Sequence, residues 1–250
     1  MLSEYYFSVK FLYNFARNKH CSQQKHTRMK RIILSLLSVA TITTAANAQL
    51  AIAPELGLNM ANMAMKSGGT TISTSMKAGL AVGAAIDLGL TDNIYFQPGL
   101  FYLMNGAKAT VSGIDATYSL NTIQIPLNFE YKLGDDGDNR FFFGVGPYIG
   151  YNLSGTSKAG GTSNTLKIGS TKPDASGNGG DDVKAMDFGA GVNIGYLLAN
   201  GFFARVHYQM GFAELDPIGD ANNSLKSSAL GVTVGYYFGA KKGKSGAAKK

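Results

Sequence analysis

The sequence predicts an all-β protein: an eight-stranded antiparallel up-and-down transmembrane β-barrel. Three observations predict it. Apolar residues recur with period two over stretches of about 9–11 residues or slightly more, the length a tilted strand needs to traverse a bilayer. The connections between these stretches alternate between short and long. Glycine makes up 32 of the 250 residues, well above the usual ~7%, and it falls with small polar residues opposite the apolar face. The reason for closure is strict: within lipid every backbone N–H and C=O must pair inside the protein, and among β structures only a closed barrel leaves no edge.

The chain divides before the strands begin. "MKRIILSLLSVATITTAANAQ", from Met29 to Gln49, reads as an export signal. Lys30 and Arg31 form the positive region, Ile33 to Val39 the apolar run, and Ala46-Asn47-Ala48 the small-x-small pattern of a cleavage site, which predicts cleavage between Ala48 and Gln49. The apolar run is about half the ~20 residues of a spanning helix, which argues against an anchor. Residues 1–28 carry no periodic pattern and read as an upstream mis-start or a disordered extension. Residues 29–48 are then the signal peptide, 49–238 the barrel, and 239–250 a basic disordered tail of Gly, Ala, Ser and Lys.

This division changes the charge reading. Of 23 Lys plus Arg and 16 Asp plus Glu, seven basic and one acidic residue precede residue 49, leaving 16 against 15. Five of the 16 are lysines in the last ten residues, so the body is mildly acidic and a nucleic-acid role loses its support. The only cysteine, Cys21, precedes the predicted cleavage point. The exported part therefore has no disulfide framework, no thiol nucleophile and no site for the usual bacterial lipid anchor.

The strands follow in order near Pro54 to Met60, Met76 to Leu90, Ile94 to Met104, Ile123 to Leu133, Phe141 to Leu153, Met186 to Leu198, Phe202 to Phe212 and Leu230 to Phe238. In the sixth, Met186, Phe188, Val192, Ile194 and Tyr196 alternate with Asp187, Gly189, Gly191, Asn193 and Gly195. The turns "LTDN", "GDDGDN" and "AN" are short, whereas the connections after the first, third, fifth and seventh strands are longer. Short periplasmic turns and long outer loops are the arrangement of an outer-membrane barrel. A ten-stranded barrel stays open if part of the segment from Ser154 to Asp182 pairs. With no Trp, the available interfacial aromatics are Tyr95, Tyr102, Tyr118, Tyr131, Tyr151, Tyr196 and Tyr208.

"NIYFQPGLFYLMNGA" (Asn93 to Ala107) followed by "NTIQIPLNFEYKLG" (Asn121 to Gly134) resembles the PorT-type outer-membrane β-barrel family. The likeness covers most of the region from Gln49 to Phe238. It implies an eight-stranded barrel in the outer membrane of a Gram-negative cell; some relatives take part in protein secretion and most have no assigned activity. Phe238 in "VGYYF" looks like the terminal-strand aromatic that the barrel assembly machinery recognises, although "GAKKGKSGAAKK" follows it.

Projected onto the strands, Glu55, Asp87, Glu130, Lys132, Arg205 and His207 face inward, mostly toward the periplasmic end, with Lys77 and Asp187 nearer the outer end. Unpaired buried charges cost several kcal/mol, which predicts a plug of ion pairs with Arg205 against Glu55, Glu130 or Asp87. An enzymatic alternative must use His207, the only histidine after residue 48, oriented by Glu130 or Asp87, but no nucleophile signature supports it. "GDDGDN" lacks the spacing and bidentate Glu of a calcium loop and reads as a tight turn. "SGNGGDD" (Ser176 to Asp182) reads as a flexible exposed loop. No metal or cofactor is expected. The reading is a monomeric, non-enzymatic barrel with a plugged lumen, in contact with outer-membrane lipid, the assembly machinery and other envelope or secretion proteins. A narrow channel for small solutes or ions is the alternative, and a soluble periplasmic barrel a third.

Overall fold

The computed structural model describes residues 50–111, 113–174 and 179–239, all within one unit, Gln49–Lys250. The predicted leader, its cleavage point at Ala48 and Gln49, the upstream segment and residues 240–250 of the tail lie outside the described residues.

Ten strands form in chain order: β1 (Leu50–Ser67), β2 (Thr70–Ile72), β3 (Thr74–Gly89), β4 (Ile94–Val111), β5 (Ile114–Leu133), β6 (Arg140–Ala159), β7 (Thr162–Leu166), β8 (Met186–Leu197), β9 (Phe202–Gly211) and β10 (Ser224–Tyr236). Among the described residues there is no helix. β2 pairs only with β1, and β7 only with β6. The wall is therefore eight antiparallel strands, closed by β10 against β1 from Glu55↔Gly235 to Lys66↔Ser224. The ten-stranded alternative fails because β7 folds back on β6 without reaching β8.

Residue alternation sets the two faces. From Arg140 to Asn152 burial in β6 alternates without a break. Its outward residues Phe141, Phe143, Val145, Ile149, Tyr151 and Leu153 are 45–57% exposed, as lipid-facing side chains must be. That stretch is roughly 40 Å of strand, and a tilt of ~40° makes it roughly 30 Å of membrane thickness.

Several strands run farther than the apolar alternation predicts. β4 continues past Met104 to Val111, β5 begins at Ile114 rather than Ile123, and β6 passes Leu153 to reach Ala159. The segment expected as a long third connection is instead a paired ribbon, its last pair being Val111↔Ile114. The outward residues there are polar, among them Lys108, Thr110 and Asp115. The hydrogen-bond ladder outlasts the lipid, so the apolar signal stops where the membrane does and the strand does not.

Two predicted interfacial tyrosines also turn out differently. Tyr95 is buried and points into the lumen, and Tyr118 packs against the apolar cluster at the outer mouth, because both lie on the inward parity of their strands. The lipid-facing aromatics at the periplasmic end pair with one another: Phe141 with Tyr196, Phe96 with Phe129, and Tyr236 with both Phe202 and Phe238, at centroid distances of 4.6–5.1 Å. Phe238 is exposed and extends the closing ladder beyond β10 through reciprocal backbone bonds with Ile52 of 2.9 and 2.8 Å.

The lumen holds more than glycine and short polar groups. Phe142, Phe203, Tyr148 and Tyr237 are buried inside it, and glycines on neighbouring strands make their room. A Cβ on Gly195 would lie 2.1 Å from Phe142 Cζ, and one on Gly235 2.5 Å from Phe203 Cζ. Glycine serves here as the socket for a large side chain of the adjacent strand, which is how an eight-stranded bore is filled.

Gly195→Ala is therefore expected to cost about 1–3 kcal/mol through overpacking, measured as a lower urea midpoint for the protein folded in lipid vesicles. Combining it with Phe142→Leu should recover part of that loss, and an unchanged midpoint in the single variant would remove the socket role.

Candidate functional site

The inward residues of the periplasmic half form one charged network across the bore. Arg205 on β9 is central. Its Nη1 donates to Glu55 Oε1 on β1 at 2.9 Å, and its Nη2 donates to Glu130 Oε1 on β5 at 2.9 Å and to Gln97 Oε1 on β4 at 2.6 Å. Thr233 on β10 donates to the other Glu55 oxygen at 2.9 Å. Lys132 pairs with Asp87 of β3 at 2.5 Å, and its ammonium lies 4.0 Å from the Tyr95 ring centroid and 4.3 Å from that of Tyr237. Phe142 and Phe203 flank the Arg205 guanidinium at 5.3 and 5.4 Å.

Glu55, Asp87, Glu130, Lys132 and Arg205 are each no more than 4% exposed, so three carboxylates meet two cations in a water-poor bore. Gln97 separates the acids. Its amide nitrogen donates to Asp87 Oδ1 and Glu130 Oε2, each at 3.1 Å, and to the Tyr237 hydroxyl at 2.8 Å. In a low-dielectric interior charges must be paired and their polar atoms bonded, and side chains from β1, β3, β4, β5, β9 and β10 give every carboxylate oxygen of Glu55, Asp87 and Glu130 a partner, leaving Arg205 Nε as the network's unbonded donor. Below it, Arg140 pairs with Asp136 of the β5–β6 turn at 2.6 Å.

The structure thus brings five of the six predicted lumen residues together, with Arg205 on Glu55 and Glu130 and with Asp87 given to Lys132. His207 lies one inward position farther along β9. Among the described residues no carboxylate hydrogen-bonds to it, so neither Glu130 nor Asp87 orients it. Its ring occupies the space a Cβ on Gly231 would need, 2.2 Å from Nε2. Gln97, Thr233 and Tyr237 are uncharged, so a search for charged lumen residues passes over them, and Tyr95 is one of the tyrosines expected at the membrane interface. Arg140 lies just before Phe141, where the apolar alternation begins.

Two further layers close the bore. In the middle, a chain of neutral bonds crosses from β1 to an outer loop. Asn59 donates to Asn105 at 2.7 Å, Asn105 to Thr122 at 3.0 Å, Thr122 to Asn152 at 2.8 Å, and Asn152 to the Lys184 carbonyl at 3.0 Å. Nearby, Asp187 is buried and accepts from Ser227 at 2.7 Å, and Lys77 is half-buried on the inward parity of β3. At the outer mouth Met63, Ala107 and Leu120 of the wall meet Val183, Ala213 and Leu215 from the loops. Cavities on either side of the Arg205 layer are small, about 50 Å³ beside Lys132 and Arg140 and about 40 Å³ beside His207 and Gln124.

The outer loops are tied down by their own carboxylates. Asp182 accepts from the Lys167 N–H at 2.7 Å and Asp181 from the Thr171 N–H at 2.8 Å. The described part of the segment expected to be flexible is therefore anchored. Glu214 accepts from Ser224 Oγ at 2.7 Å and from the N–H groups of Leu225 and Asp216 at 2.5 and 3.0 Å. Burial alone would raise its carboxyl pKa, but these bonds and the nearby Lys184 charge together hold it below the ordinary value. The "GDDGDN" turn is tight as expected, with Gly134 and Gly137 at positive φ. Among the described residues no group of three or more His, Cys, Asp or Glu could hold a metal ion.

A family model described as "Outer membrane protein beta-barrel domain" matches residues 23–216. Among solved structures, the chain is similar to Neisserial surface protein A, at 12% identity over 77% of this chain and 100% of that one, with a TM-score of 0.42. OprG from Pseudomonas aeruginosa is similar at 10% identity over 76% and 96%, with a TM-score of 0.46. Ail, the attachment invasion locus protein of Yersinia pestis, is similar at 11% identity over 77% and 100%, with a TM-score of 0.39. No curated protein matches.

Arg205→Leu should destabilise the folded barrel by about 3–5 kcal/mol, because it strands two buried carboxylates. The triple change Glu55→Gln, Glu130→Gln, Arg205→Met should regain most of this, since it removes the charges together. Urea unfolding in vesicles measures both, and equal losses in the two variants would overturn the pairing argument. At the outer mouth the sign is fixed by the depressed Glu214 pKa: its stabilisation is present above the ordinary carboxyl range and disappears as pH falls through the lower folded value. Amide exchange at Leu225 and Asp216, corrected for intrinsic rate, should be flat above pH ~5 and accelerate in acid, a dependence that Glu214→Gln should abolish.

Proposed function

The chain belongs to the outer membrane protein beta-barrel domain family, and on that premise we propose that it serves the bacterial outer membrane as a sealed, non-enzymatic barrel whose work is done at its two ends. The observation that carries this reading is the Arg205 layer, which spans the bore with buried, mutually paired groups and leaves only small cavities beside it. A solute crossing there would have to separate Arg205 from two carboxylates, each of which would then be an unpaired buried charge.

The remaining parts of the proposal follow from the sequence. Residues 29–48 act as a signal peptide removed between Ala48 and Gln49, and Phe238 presents the closing-strand aromatic to the barrel assembly machinery. The short motifs at Asn93 to Ala107 and Asn121 to Gly134 support a PorT-type assignment, with a role in secretion or outer-membrane assembly alongside other envelope proteins. The ladder closes within one chain, so no second copy is needed to complete the wall, which supports a monomer. A lone His207 without a carboxylate partner supports a structural role for that residue rather than an enzymatic one.

Planar-bilayer recording tests the proposal. Refolded wild-type protein should give no steady single-channel steps, and neither should the single-layer change Glu55→Ser, Glu130→Ser, Arg205→Ser, because the middle and outer layers still stand in the bore. Steady steps from the wild-type protein would establish the narrow channel instead.

A further inference from the structure

Above the apolar cap the strands and loops enclose a cavity of about 430 Å³, within the size range of small-molecule sites. Its apolar side is built by Leu120, Val183 and Leu225, with Met65, Tyr118 and Leu166 around them. These residues come from four parts of the chain: β1, the β5–β6–β7 ribbon, the loop before β8, and the start of β10. Methionine and tyrosine among aliphatics make a wall that adapts to irregular apolar bodies.

The rim is chemically different. Ser157, Thr165 and Ser224 offer hydroxyls. The charged members are Lys66, Asp182 and Asp216, two carboxylates against one ammonium. Each also has a structural partner: Lys66 donates to the Ala221 carbonyl at 3.0 Å, Asp182 accepts from the Lys167 N–H at 2.7 Å, and Asp216 accepts from the Ile218 N–H at 2.8 Å. These contacts hold the rim charges in place, and Lys158, Lys167, Lys184 and Lys226 follow lining residues in the chain, so the two carboxylates do not make the mouth acidic. The lining's one ammonium, Lys66, is engaged by a backbone carbonyl, so an anionic headgroup finds no free cation there, whereas a neutral one is met by the hydroxyls. The walls lie beyond the lipid-facing band, where the outward residues Lys108, Thr110 and Asp115 are polar, so a ligand enters from water.

We propose that this outer-mouth cavity is a binding site for a small amphiphile with an apolar body of a few rings and a neutral polar end. The apolar part packs on Leu120, Val183 and Leu225, and the polar end reaches the hydroxyls of Ser157, Thr165 and Ser224. Retention at the cell surface rather than passage rests on the sealed-lumen reading; the site itself does not.

The test uses N-phenyl-1-naphthylamine as a neutral probe, titrated into isotope-labelled protein in lipid nanodiscs and followed by amide NMR. Saturable shifts are expected at Tyr118, Leu166, Val183 and Leu225, while the lipid-facing Leu56 and Phe188 should show only the linear drift of membrane partitioning. Val183→Trp and Leu225→Trp, each filling the cavity, should weaken binding at least about tenfold. The sulfonated analogue 1-anilinonaphthalene-8-sulfonate should bind more weakly than the neutral probe. Shifts confined to lipid-facing residues, or undiminished binding in a folded variant of either position, would overturn the site. Equal affinity for the sulfonate would overturn the charge preference. Failure here leaves the conductance result untouched, and channel activity would leave the site standing.

Discussion

The pairing of β10 with β1 is the constraint on which the rest depends. Without it the sheet would present two rows of unpaired N–H and C=O groups to hydrocarbon, each costing several kcal/mol. Closure with eight strands fixes a bore of limited width, and a limited bore must be filled from within. The register from Glu55↔Gly235 to Lys66↔Ser224 also decides which residues face inward. Everything in the lumen, from the glycine sockets to the Arg205 layer, is a consequence of that one ladder.

An apolar filling would satisfy packing equally well, so the charges need a separate reason. A buried ion pair is seldom more stable than well-packed hydrophobic residues of the same volume. Two effects favour charge here. Polar inward residues such as Gln97, Glu130, Lys132 and Arg205 interrupt the apolar runs of β4, β5 and β9, which lowers the hydrophobicity of these segments before the barrel forms. Charges also specify register: a slip of β9 by one residue would turn Arg205 toward lipid and Val206 toward the carboxylates. The network therefore makes the wrong pairing costly, a stronger discrimination than the loss of a few aliphatic contacts.

The wall was largely legible in the sequence, because period-two alternation is imposed by lipid on one side and a filled lumen on the other. The inward placement of Glu55, Asp87, Glu130, Lys132, Arg205 and His207 followed from parity alone. Their partners did not, because parity gives the face but not the height, and height depends on strand tilt and stagger. That is why Asp87 could be placed near Arg205 in advance yet pairs with Lys132. Gln97 carries no charge and so offers no signal, although its amide nitrogen bonds one oxygen each of Asp87 and Glu130 and leaves the others to Lys132 and Arg205. The outer extensions were illegible for the opposite reason. Beyond the lipid the outward face of β4 and β5 is polar without penalty, as at Lys108, Thr110 and Asp115, and a paired ribbon then reads like a loop.

The lumen changes chemistry along its length, and the order bears on what the barrel can do. From the periplasm an ion first meets Arg140 with Asp136, then the Arg205 layer, where the carboxylate oxygens already have side-chain partners. From outside it passes the rim of the outer cavity and then meets Val183, Leu215 and Leu120, which offer no ligand for its lost hydration. An apolar molecule faces the reverse sequence: it gains contact at the outer mouth and loses it at the Asn59–Asn152 chain, whose hydrogen bonds it would have to break. Each class of solute is thus held back by the layer suited to the other, and the two ends are left with separate chemistries, a charged periplasmic face and a partly apolar outer cavity. The proposed work at the ends rather than through the middle rests on this filling of one narrow bore with two incompatible solvents.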